Sequence, residues 1–82
     1  MKVYTIIKIS SGEERLELDE VEVFDTHEKA VEGLKKLYEE TLEEVEGYDL
    51  LIDELEDTYF TIQIDDDYAT EYYGRLKVRE VL

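Results

Sequence analysis

The sequence predicts an α+β domain: an antiparallel sheet of about four strands in ββα(α)ββ order, with one long amphipathic helix packed on one face. Three observations carry that reading. Period-two hydrophobic stretches stand near both ends of the chain, a stretch of period 3.6 stands between them, and turn-forming clusters divide the strands into pairs. Antiparallel hairpins bury one face, and a helix with a wide apolar stripe supplies the cover. A chain of 82 residues builds one small core, so residues 1–82 are read as a single acidic domain.

Residues 2–9 are dense in β-branched and aromatic side chains and form the first expected strand, with Ser10-Ser11-Gly12-Glu13 as its turn. On the returning strand Leu16 and Leu18 are two apart, as are Val21 and Val23, but Leu18 and Val21 are three apart. A bulge near Asp19-Glu20 restores the inward facing. Asp25 and Glu28 have the spacing of a capping box, with Thr26 as the alternative cap, and a helix follows. Its apolar stripe is Ala30, Val31, Leu34, Leu37, Tyr38, Leu42 and Val45, and Gly47 is placed to end it.

Tyr48, Leu51, Ile52 and Leu55 repeat at i, i+3, i+4 and i+7, which predicts a second, short helix, with a loop as the alternative. Residues 58–65 then alternate strictly, Phe60, Ile62 and Ile64 against Tyr59, Thr61 and Gln63. Residues 65–70 form a polar turn, and the last strand sets Tyr72, Leu76 and Val78 against Tyr73, Arg75, Lys77 and Arg79. The expected core is Val3, Ile7, Leu16, Val23, Leu34, Leu37, Tyr38, Phe60, Ile62, Ile64, Leu76 and Val78. Tyr4 and Ile6 are left on the opposite side of the first strand, under the second helix or at a contact surface.

Composition narrows the function classes. An apolar fraction of 43% with seven Tyr and two Phe argues against a disordered acidic tail. The absence of cysteine excludes a disulfide framework and a zinc–thiolate site. The same absence of cysteine makes a reducing, cytoplasmic location the expectation, and short apolar runs with N-terminal residues that lack the pattern of a signal peptide agree with it. A formal charge of −15 repels anionic lipid and nucleic acid phosphates alike, so neither a membrane nor direct nucleic acid binding is expected.

Catalytic signatures are also missing. His27 is the single histidine, it falls at a helix start, and Ser10 and Ser11 have no base beside them. The four glycines are scattered instead of forming a phosphate loop. Asp65-Asp66-Asp67 offers hard oxygen ligands, but Thr70 stands where a calcium loop needs glycine and no acid follows at the required place. No enzyme activity, cofactor or metal is expected.

The charge is segregated. Residues 1–36 hold nine acids against six bases, residues 37–74 hold fourteen acids and no base, and residues 75–82 hold one acid against three bases. Like charges recur at i and i+4 in the expected helix (Glu39 with Glu43, Glu40 with Glu44), which destabilises it, and they gather at its C-terminal end, where the helix dipole disfavours anions. Glu39, Glu40, Glu43, Glu44 and Glu46 occupy about 12 Å of helix, in which duplex DNA would present about seven phosphates. Carboxylates at that density can fill the Lys and Arg positions of a groove built for nucleic acid, with Tyr48, Tyr59, Tyr68, Tyr72 and Tyr73 as aromatic anchors.

In its size, in the ten acids of residues 39–57 and in Asp65-Asp66-Asp67, the chain resembles small acidic inhibitors from phages and mobile elements, including the DNA-mimicking anti-CRISPR proteins. The resemblance covers about half the chain and lies in charge pattern, without a shared motif. It implies a non-enzymatic inhibitor, phage-encoded and acting in the host cytoplasm. The implied partner is a basic nucleic-acid-binding protein such as a Cas effector. The expected contact residues are Glu39, Glu40, Glu43, Glu44, Glu46, Asp49, Asp53, Glu54, Glu56, Asp57, Asp65, Asp66, Asp67, Tyr68 and Glu71. The alternative is an intracellular protein–protein adaptor or assembly domain whose acidity serves solubility.

Overall fold

The computed structural model describes residues 1–12 and 15–81, with the backbone alone for residues 15–21. Five strands and one helix follow in order: β1 (Lys2–Gly12), β2 (Arg15–Phe24), α1 (His27–Glu44), β3 (Leu50–Leu55), β4 (Tyr59–Ile64) and β5 (Glu71–Glu80). All pairings are antiparallel, in one sheet of order β2-β1-β5-β4-β3. The α+β class and the long covering helix agree with the sequence reading.

The strand beyond the expected four is β3, where apolar spacing predicts a helix. Its register against β4 shifts between Leu50 and Ile52, leaving Leu51 as an inserted residue. A bulge turns a strand spacing of two into three, which imitates helical periodicity over so short a segment. A second bulge lies in the first hairpin: Ile6 pairs with Glu22 and Ile7 with Glu20, so Val21 is the extra residue, next to the expected Asp19-Glu20. Ser10, Ser11 and Gly12 continue β1 instead of turning, because Gly12 still pairs with Arg15.

Thr26 caps α1, its hydroxyl accepting from the Lys29 N–H at 3.2 Å, while Asp25 pairs with the Lys29 ammonium at 3.1 Å. Thr26, not Asp25, is thus the cap. Ala30, Leu34, Leu37 and Thr41 form the buried side of the helix. Thr41 is apolar in its role, since its hydroxyl donates to the Leu37 carbonyl at 2.8 Å and leaves a methyl to pack. After the helix Gly47 adopts φ 97°, a left-handed turn that a Cβ would oppose.

The core cluster comprises Ile6, Leu34, Leu37, Val45, Phe60, Ile62 and Ile64, with Phe24, Tyr38, Leu42 and Tyr72 at its margin. Phe60 and Gly74 are cross-strand partners, and a side chain at Gly74 would occupy the space of the Phe60 ring. β1 corrects the expected facing. Ile6 is in the core and Tyr4 meets the His27 ring edge-on at 5.6 Å, so the even positions lie toward the helix. Thr5 and Ile7 are buried as well, on the other face. A central strand covered on both sides is apolar at both parities, and alternation then cannot rank its faces.

Val23 and Val78 leave the expected core. They are 55% and 54% exposed, Val23 opposite Thr5 on the side without a helix and Val78 in the exposed final residues of β5. Val3 is only half-buried. The expectation for Leu16 concerns a side chain outside the described residues.

Candidate acidic interface

The acids of residues 39–57 are all exposed, and the fold sorts them onto three neighbouring surfaces. Glu39 and Glu43, one turn apart, lie on the side of α1 away from the buried Ala30, Leu34, Leu37 and Thr41. Glu40 and Glu44 lie toward the first hairpin: Glu40 lines a shallow groove with Ile6, Glu22, Gly33, Lys36 and Leu37, and Glu44 approaches the Lys8 ammonium at 3.7 Å. Glu46 follows the helix end. Asp49, Asp53, Glu54, Glu56 and Asp57 run along β3 and its two ends, the outer strand of the sheet beyond β4. β3 itself extends over about 17 to 20 Å at strand rise.

Tyr38 joins helix and edge. Its hydroxyl donates to Asp53 Oδ1 at 2.5 Å, and its ring meets Phe60 edge-on at 5.7 Å. The Asp53 carboxylate accepting that proton, helped by partial burial, pushes the Tyr38 phenol up to about 12. Tyr72 is raised too, by burial first and then by the negative charge of Glu44 and Asp66. The end of α1 and the β4–β5 turn therefore add to one negative field. A direct tie runs from the Asp65 N–H to the Asp49 carbonyl at 2.8 Å.

Asp65, Asp66 and Asp67 divide by role. Asp66 holds the turn together: Oδ1 accepts from the Tyr68 N–H at 3.2 Å and the Thr70 N–H at 2.9 Å, and Oδ2 accepts from the Thr70 hydroxyl at 2.7 Å. These bonds, led by the Thr70 hydroxyl, hold its carboxyl below the ordinary range. Asp65, Asp67 and Tyr68 are exposed, whereas Glu71 is half-buried within β5, opposite Gln63 and Ser11. Among the described residues no group of three or more His, Asp or Glu side chains is placed to hold a metal ion. No helix there is long and apolar enough to cross a membrane.

The three bases of β5 fall elsewhere. Arg75, Lys77 and Arg79 share the helix-free face of β5 with Tyr73, and Tyr73 stacks on Tyr59 with centroids 6.2 Å apart. Of the five expected aromatic anchors, Tyr59 and Tyr73 therefore point away from the helix, and Tyr48 and Tyr68 stay exposed among acids. Lys8, Tyr38 and Asp53 make contacts that sequence reasoning did not find. Tyr38 and Asp53 lie 15 residues apart, a separation that no local motif spans.

No family model matches this chain, and neither a curated protein nor a solved structure matches it.

Proposed function

We propose that this protein is a non-catalytic acidic binder that occupies the basic nucleic-acid site of a partner protein, its carboxylates standing where phosphates would stand. One observation supports the reading above others. All ten acids of residues 39–57 are exposed, and Glu44 with Lys8 is an ion pair of this stretch while Asp53 accepts from a neutral tyrosine, Tyr38. A surface evolved for solubility alone gains from interspersing both signs of charge. Here like charges are concentrated against the interest of the free fold, and a partner's Lys and Arg side chains would relieve that repulsion on binding. A nucleic-acid channel of a Cas effector is one site of this kind.

The test is a comparison of variants. Changing Glu39, Glu40, Glu43 and Glu44 together to Gln keeps side-chain size and removes charge. That variant is expected to lose most of its affinity for a captured basic partner, nucleic acid is expected to compete with the wild-type protein, and added salt is expected to weaken the complex steeply. A partner without a basic nucleic-acid site, or one that binds both the quadruple variant and variants changed at Asp65, Asp66 and Asp67 undiminished, overturns the proposal and returns the chain to the adaptor reading.

A further inference from the structure

We infer that the free edge of β3 is a docking site for an extended, basic segment of the partner, which pairs with it as a sixth antiparallel or parallel strand. The inference rests on the reading that the partner is basic, and adds the way in which it is held. β3 ends the sheet, and all six of its residues are exposed. The Glu56 N–H donates inward to the Tyr59 carbonyl at 2.8 Å. Because antiparallel pairs alternate, Glu54 and Ile52 also face β4, and the backbone N–H and C=O groups of Asp53 and Leu55 point out of the sheet.

Such edges template the addition of another strand unless they are blocked, and lysine, proline or a covering loop are the usual blocks. β3 has no lysine and no proline, and it keeps Leu50, Leu51, Ile52 and Leu55 at 36 to 55% exposure. What protects it is charge: Asp49, Asp53, Glu54, Glu56 and Asp57, with no base among residues 37–74. A second copy of the chain would set one such seam against another, at −15 per molecule, and is repelled. A strand alternating Lys or Arg with β-branched residues complements both features. Such a strand carries all its bases on one face and its apolar side chains on the other, so bases on the face of Asp53 and Leu55 meet Asp53, while the β-branched side chains lie beside Ile52 on the opposite face.

The probe is a blocked synthetic peptide of alternating Lys and Val, compared with one of alternating Lys and Pro that carries the same charge and cannot form a ladder. At matched salt the Lys–Val peptide is expected to bind about tenfold tighter or more, and amide exchange at Asp53 and Leu55 is expected to slow only in its presence. Leu55→Pro removes one outward donor at an edge position that tolerates proline, and is expected to abolish the difference between the peptides while the melting temperature is retained. Should that variant fail to fold, the exchange measurement on the wild-type protein decides. Equal binding of the two peptides, without slowed exchange, overturns strand addition and leaves the acidic binder standing; failure of both peptides to bind even at low salt removes both. A free chain that sediments as a dimer with Asp53 and Leu55 already protected also overturns the inference, since the edge then belongs to a second copy.

Discussion

Gly74 and Phe60 show how far one residue's identity depends on its cross-strand partner. The Phe60 ring fills the space that a side chain on Gly74 would take, so Gly74→Ala is expected to destabilise by about 1 to 3 kcal/mol through overpacking. Phe60→Ala alone should cost about 3 to 5 kcal/mol. In the double variant the two losses are expected to fall short of additive, because removing the ring frees the space that the new methyl needs; denaturant titration of the four proteins checks it, and strict additivity would show that the two sites do not share that space. Tyr38 makes a second claim at this scale. With its phenol raised from 10.0 to about 12, the folded state holds its proton longer than the unfolded chain, so its contribution to stability is complete below pH 10 and is lost as pH rises through 12. Tyrosinate absorbance should show a late-titrating component from Tyr38, beside the raised Tyr72, and Asp53→Asn should lower the Tyr38 component alone. Neither pair was visible in the sequence, since glycine in a strand and a tyrosine on a helix flank each have many uses and the partner lies far along the chain.

At the scale of elements, legibility followed how one-sided each element is. α1 and β4 each have one wet and one dry face, and their buried sets, Ala30, Leu34 and Leu37 or Phe60, Ile62 and Ile64, match the sequence periodicity. β1 is covered on both sides and β3 is bulged and exposed, and for these two the pattern misled. The acidic stretch was legible as charge, but not as three surfaces, because its division depends on whether residues 50–55 are helix or strand. The end of α1 is also where stability and proposed function oppose one another. Its first turn has Glu28 and its last turn carries no basic residue, so anions sit at the negative end of the dipole. Glu43→Lys places a cation there and turns the repulsive Glu39–Glu43 pair into an attractive one, with an expected gain of about 0.3 to 1 kcal/mol. The same variant is expected to bind a basic partner more weakly. A thermal melt and a binding titration on one preparation check both, and a Glu43→Lys protein that is less stable and binds equally well would contradict each half.

Over the whole molecule the charges are arranged with a direction: acids without bases on the helix after Lys36 and along the β3 edge, and Arg75, Lys77 and Arg79 on the helix-free face of β5. A charge distribution of this kind orients an approaching basic protein before contact, and the advantage in association rate falls with ionic strength. It also sets salt against itself in two measurements. In the free protein, fourteen acids among residues 37–74 without a base repel one another over a Debye length of about 10 Å at 0.1 M salt, so raising ionic strength is expected to raise the melting temperature. In the complex the acids have become favourable contacts, so the same increase is expected to weaken binding. The quadruple Gln variant at Glu39, Glu40, Glu43 and Glu44 should flatten both slopes together, because one set of carboxylates produces both. A melting temperature that ignores salt would mean that the acids of the free protein are already neutralised. A binding slope that survives the quadruple change would place the contact on the β3 seam or the Asp65–Asp67 turn instead of on the helix.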